Sequence, residues 1–175
     1  MRKLFLTLFT FSFCAISYAQ NFSVQQLTAD FYLSKEGYFD VVEKYDVKFQ
    51  EPAHGIYRDF ITRFDYKDAK GKVTKRTMYI SDIEVPGEQF STNELFGKQW
   101  GDMLRIKIGD KEKLVEDTQH YEIRYRVKNA LFFNGDKVSF YWNVKSPEWF
   151  SVFFKVNFTV HAPDGAVLSP ENCFV

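Results

Sequence analysis

An all-β fold, an antiparallel β-sandwich of immunoglobulin-like general architecture, is what the sequence predicts, and three observations carry it. Aromatic residues make up 19% of the 175, with 20 Phe and 10 Tyr, and these types suit a pleated, half-buried surface. Apolar and polar residues alternate with period two along most of the chain. No stretch of helical length beyond the leader shows an apolar repeat of 3.6 residues. Lys+Arg and Asp+Glu are 23 each, so the basic excess that nucleic-acid binding draws on is missing.

The elements follow in chain order. Leu27, Ala29, Phe31 and Leu33 point one way, and Gln26, Thr28, Asp30 and Tyr32 the other. Lys35-Glu36-Gly37 is a turn, with Gly where a positive φ is needed. Phe39, Val41, Tyr45, Val47 and Phe49 then share a face opposite Asp40, Lys44, Asp46 and Lys48, completing a hairpin. Glu51 to Gly55 breaks the pattern, and the segment His54-Gly55-Ile56-Tyr57-Arg58-Asp59 is read as a loop. A run over about Phe60–Tyr66, a turn at Asp68-Ala69-Lys70-Gly71 and a single strand near Val73–Val85 come next. Pro86-Gly87 punctuates the chain before a short strand near Phe90. Beyond a Gly97–Gly101 loop, Leu104, Ile106 and Ile108 share a face, and Tyr121, Ile123, Tyr125 and Val127 share another. Asn134-Gly135 turns into Val138, Phe140, Trp142 and Val144. The last run places Val152, Phe154, Val156, Phe158 and Val160 together, and Pro163-Asp164-Gly165 closes it. Eight or nine short strands are expected.

Ahead of these runs, Arg2 and Lys3 precede an apolar stretch from Leu4 to Ile16, and Ser17-Tyr18-Ala19 puts small residues at −3 and −1 of a cleavage site. This is the layout of a secretory signal peptide, and the stretch falls short of the roughly 20 residues of a spanning helix. Residues 1–19 are therefore read as a signal peptide and 20–175 as one β-sandwich domain. A lipoprotein reading through Cys14 fails because Phe13 stands where a small residue is required. Export would leave Cys173 as the one thiol, either buried and free or paired with a cysteine elsewhere. With the abrupt end after Pro170, the expectation is that the polypeptide continues past Val175 and that Cys173 pairs there.

Chemistry-bearing motifs are few. There is no G-x-S-x-G, S-x-x-K, H-E-x-x-H, G-x-G-x-x-G or P-loop, so no cofactor and no metal site are expected. The 3 His (54, 120 and 161) have no ligand spacing. Asn21-Phe22-Ser23 and Asn157-Phe158-Thr159 match the glycosylation sequon, a pattern frequent by chance and discounted in a chain with a bacterial type of leader. Two features stand out. Glu43 falls on the apolar face between Val41 and Tyr45, where a carboxylate must be paired or protonated. Arg58 offers a guanidinium capable of two parallel bonds. The structural reading is a buried Glu43–Arg58 pair pinning the 54–59 segment, and the sharper reading is an anion-binding or catalytic arginine. Trp100, Tyr141 and Trp149 invite a sugar-stacking reading, weighed against core packing.

The segments Val41-Val42-Glu43, His54-Gly55-Ile56-Tyr57-Arg58-Asp59, Ile106-Lys107-Ile108-Gly109, Tyr121-Glu122-Ile123-Arg124-Tyr125, Tyr141-Trp142-Asn143-Val144 and Trp149 occur in this order. Their order and spacing resemble the N-terminal domain of a bacterial family of predicted membrane proteins, domain of unknown function 2207, over about residues 24–165. The resemblance implies a signal peptide, a β-rich extracytoplasmic domain, then membrane-spanning helices and often a glycine-rich tail, and it implies no activity. The resulting expectation is a non-enzymatic extracytoplasmic module of a cell-envelope protein, in the periplasm, at the cell surface or anchored. Its partner would be a protein or envelope component and not nucleic acid. Its membrane association would run through a C-terminal region absent from this chain. The alternatives are an envelope-polymer hydrolase using Glu43, Asp59 and Arg58, and a glycan-binding module using exposed aromatics.

Overall fold

A computed structural model describes residues 21–67, 71–99, 101–135, 137–145 and 149–167. The expected leader and cleavage site, Asp68 to Lys70 of the expected turn, Trp100 and Cys173 lie outside the described residues. Every regular element among the described residues is a strand, so none offers a helix long and apolar enough to cross a membrane.

β1 (Phe22–Leu33) and β2 (Tyr38–Phe49) form the expected hairpin, with Leu33 opposite Phe39 and Phe22 opposite Phe49. β8 (Thr118–Lys128) pairs with the other side of β2. The alternation sorts these strands as expected: Leu27, Ala29, Phe31, Val41, Val47, Ile123 and Val127 are buried on one face. A second sheet faces this one. It contains β3 (Ile56–Lys67), β4 (Val73–Thr77), β6 (Phe90–Lys98) and β7 (Gly101–Ile108), in the order β4-β3-β7-β6. Ile56, Phe60, Ile106 and Ile108 from this sheet join the first sheet's apolar face in one core. A small hairpin of β9 (Leu131–Asn134) and β10 (Lys137–Phe140) stands beside them. The first sheet is completed by β5 (Tyr79–Glu84) and β11 (Val156–His161), giving the order β11-β1-β2-β8-β5.

Five expectations need correction. Ile56 to Asp59 are not loop: they open β3, where β-branched and aromatic side chains pair with β7, Ile56 opposite Ile108. The expected strand from Val73 to Val85 is two strands in different sheets. The chain changes sheets at Met78, which buries its side chain and donates its N–H to the Thr62 carbonyl at 2.8 Å. The strand near Phe90 is nine residues long. β10 ends at Phe140, so Trp142 and Val144 follow the strand, and Val138 is exposed. Finally, the sheets are not wholly antiparallel, because β11 runs parallel to β1 after a crossover long enough to permit it.

That last strand also departs from its expected burial. Val24 bridges Phe153 while Leu27 pairs with Val156. Phe153 therefore packs against the core, and Val152 and Phe154 point outward. Val156 and Phe158 share the core-side face of the sheet with Leu27 and Ala29 but remain 45% and 44% exposed at its rim.

Candidate functional site

Glu43 lies on β2 between Val41 and Tyr45, which the pleat also turns inward, and it is completely buried. Arg58 lies on β3 in the opposing sheet, opposite Ile106, and is 1% exposed. The guanidinium Nη2 donates to Glu43 Oε1 at 2.7 Å and Nε donates to Oε2 at 2.8 Å. The Tyr125 hydroxyl donates to Oε1 and the Tyr45 hydroxyl to Oε2, each at 2.7 Å. Each carboxylate oxygen thus accepts two bonds, which fills the roughly four lone-pair positions a carboxylate has. Arg58 also donates from Nη1 to the Asp59 carbonyl at 3.0 Å and from Nη2 to the Asn143 carbonyl at 3.4 Å. Its guanidinium sits 4.4 Å from the centre of the Phe60 ring.

The electrostatics follow from this packing. Burial raises the Tyr45 and Tyr125 phenols well above their ordinary range, and the neighbouring Glu43 charge raises them further against the pull of Arg58. Burial alone would lower the Arg58 guanidinium, but the Glu43 carboxylate outweighs it and holds the group well above its ordinary value.

Aromatic rings wall the cluster on both sides. Trp149 is 3% exposed and stands edge-on to Tyr45, with centroids 5.5 Å apart, and to Phe22, 5.3 Å apart. It is a core residue, which removes it from any sugar-stacking platform. Trp142 packs edge-on to Phe39 at 5.3 Å and lies 6.2 Å from the Tyr125 ring. Tyr141 is exposed and its hydroxyl donates to Asn143 Oδ1 at 3.0 Å. Beside Arg58, a cavity of about 220 Å³ opens between Phe60, Phe64, Met78, Phe132 and Trp142.

The remaining motif residues surround this core. Alternation places Asp59 on the face of β3 opposite Arg58. There it takes Arg105 Nε on Oδ1 and Arg105 Nη2 on Oδ2, both at 2.7 Å, and Arg105 in turn lies 4.7 Å from the Tyr57 ring centre. Glu43 and Asp59 therefore do not share a cleft. Gly55 and Gly109 meet where β3 begins and β7 ends. A Cβ on Gly55 (φ 118) would lie 1.9 Å from the Ile108 carbonyl oxygen, and one on Gly109 (φ 122) would lie 2.1 Å from that of His54. Only glycine allows this approach. His54 Nδ1 bonds the Lys113 carbonyl at 2.9 Å, His120 bonds Asp46 at 2.6 Å, and His161 bonds Asp30 at 3.0 Å. Among the described residues, no three His, Cys, Asp or Glu side chains converge as a metal-ligand set.

Sequence reasoning missed Tyr45 and Tyr125 as partners of Glu43, Phe60 beneath Arg58, and Arg105 on Asp59. Tyr45 carried a signal, since it stands two residues from Glu43 on the same face. Tyr125 carried only half of one, because its place opposite Val41 depends on the β2–β8 register.

Residues 23–171 match the profile of the N-terminal domain of the predicted membrane proteins DUF2207. The chain belongs to this family. The DUF2207 domain is 28% identical over 148 residues to the uncharacterized protein YciQ of Escherichia coli K12, covering 82% of this chain and 22% of YciQ. The chain thus spans under a quarter of that relative. Among solved structures, the DUF2207 domain is similar to an M1 zinc metallopeptidase of Deinococcus radiodurans at 11% identity and a TM-score of 0.41, covering 82% of this chain and 32% of that one. It is similar to the leukotriene A4 hydrolase of Saccharomyces cerevisiae at 10% identity and a TM-score of 0.39, covering 64% and 17%. At TM-scores this low, neither likeness transfers a fold assignment or an activity to the DUF2207 domain.

Proposed function

We propose that this domain is a non-enzymatic, extracytoplasmic β-sandwich module of a membrane-associated envelope protein, serving interaction or structural support. The observation that carries this reading is the saturation of Glu43. A general acid or base needs a lone pair or proton within reach of substrate. Both Glu43 oxygens are instead bonded to Arg58 and to a buried phenol. A glycosidase-type pair needs two carboxyl groups about 5–9 Å apart across one cleft, and Asp59 lies on the other face of its strand, held by Arg105. Family membership supports the membrane association, and the leader pattern supports the extracytoplasmic side. The partner would be a protein or envelope component, and the anchor would lie in a region outside this chain.

Two measurements test the reading. A cysteine placed at exposed Ser91, with Cys173 changed to Ser, should react with a membrane-impermeant maleimide in intact cells. Labelling only after lysis would place the domain inside and overturn the location. The purified protein should release no fragments from isolated cell-wall polymer. Release abolished by Glu43→Gln, with an unchanged denaturation midpoint, would establish the hydrolase instead.

A further inference from the structure

Sheet edges offer unpaired N–H and C=O groups, and folded proteins guard them with charge, bulges or proline. The outermost strands of the two large sheets are β11, β5, β4 and β6. β4 carries Lys75 and Arg76. β5 carries Asp82, in a left-handed conformation (φ 52), inside an irregularity between Ser81 and Glu84. β6 carries Glu94 and Lys98 and breaks register between Leu95 and Lys98. β11 reads Val-Asn-Phe-Thr-Val-His, with no Asp, Glu, Lys, Arg or Pro and an unbroken ladder to β1. Val156 and Phe158 on it are open, Val160 is partly buried against the core, and Phe150, Val152 and Phe154 just upstream are exposed as well. Nothing among the described residues pairs with its outer edge.

The phase of the ladder says which groups are free. Leu27 pairs with Val156 and donates its N–H to the Lys155 carbonyl at 2.9 Å. In a parallel ladder this turns the N–H and C=O of Asn157, Thr159 and His161 toward β1, and those of Val156, Phe158 and Val160 outward. An antiparallel copy of the same strand meets this edge in register with itself. With Phe158 opposite Phe158 of the second copy, Val156 faces Val160, all three outward-pointing residues form hydrogen-bonded pairs, and the core-side apolar residues stay on one face. Asn157 then stands opposite Thr159 in the closer, non-hydrogen-bonded pairs.

We propose that the outer edge of β11 is a self-pairing surface on which a second copy of this chain docks antiparallel about a two-fold axis at Phe158, joining two five-stranded sheets into one. The contact is isologous, so it closes at two copies. It is smaller than the standard interface of roughly 1,600 Å² and makes a weak dimer. The inference goes beyond the envelope reading and does not depend on where the domain resides.

Sedimentation of the protein from Gln20 onward should show a concentration-dependent rise from the monomer mass toward twice that mass. Phe158→Lys, which sets two ammonium groups against each other at the axis, should raise the dissociation constant at least about tenfold. Asn157→Asp combined with Thr159→Lys creates two crossed ion pairs in this register only, so the double variant should dimerise several-fold more tightly than the two single changes together account for. Amide exchange should be slow at Asn157, Thr159 and His161 at every concentration, and slow at Phe158 and Val160 only where the dimer forms. A monomer up to about 0.5 mM, where even a millimolar contact becomes visible, would overturn the proposal. So would a dimer indifferent to Phe158→Lys, or exchange at Phe158 and Val160 that ignores concentration.

Discussion

A carboxylate with every lone pair occupied responds to mutation differently from a simple ion pair. Arg58→Met leaves the Glu43 charge buried with only two phenols, and Glu43→Gln leaves the guanidinium without its counter-charge. Each should cost about 3–5 kcal/mol in urea denaturation. Replacing both, as Glu43→Leu with Arg58→Met, should cost less than the two singles combined, and a double-mutant cycle measures that coupling. The double variant should still be destabilised, because Tyr45 and Tyr125 then bury hydroxyls without an acceptor, at about 1–3 kcal/mol each. Adding Tyr45→Phe and Tyr125→Phe should recover much of that loss. Strictly additive costs would mean the four side chains are not one unit. The phenols also set an alkaline limit. Their folded-state pKa values lie above the unfolded value near 10, so above that pH the unfolded chain binds fewer protons than the folded one. Their contribution to stability is therefore fully present below about pH 10 and is lost as pH rises past it. Ultraviolet phenolate titration should find Tyr45 and Tyr125 titrating only with unfolding, and Tyr121 titrating at a pH pushed up to about 12 by burial and the nearby Glu88 charge.

The start of β3 depends on two glycines from separate motifs. Gly55→Ala forces a Cβ into the Ile108 carbonyl and a side chain into a left-handed backbone, and it should lower stability by at least about 2 kcal/mol. Gly109→Ala should do the same, and the paired variant should cost less than their sum, because the displaced backbone is shared; chemical denaturation of the three variants decides this. Why both motifs contain glycine was not legible beforehand, since the clash exists only once β3 and β7 are in register. The β1–β2 hairpin was legible, because one face is buried throughout and alternation reports it directly. The division at Met78 was not: Val73 to Val85 contains no Gly or Pro, and the change of sheet leaves no mark in local composition. Likewise, Glu43 on an apolar stripe is visible in the sequence, whereas Tyr125 reaches it only through strand pairing between residues 82 positions apart.

At the scale of the whole molecule, alternation identified strands but could not say which way the last one runs. Period two is the same for parallel and antiparallel neighbours, so the β1–β11 pairing had no signature. Pairings this distant in sequence place the domain among slow folders, and refolding should take milliseconds to seconds by stopped-flow fluorescence of its tryptophans. The parallel pairing also fixes how the two ends of the chain leave the sheet. The chain enters β1 at Phe22 and leaves β11 at His161, and because the strands run the same way these points lie at opposite ends of the ladder. Tension applied through the two ends therefore acts along the strands and slides β1 against β11, loading the bonds from Leu27 to His161 all at once. A hairpin pulled from its open end would instead yield one bond at a time. Pulled through its two ends, this domain would bear load as a clamp and not as a zipper.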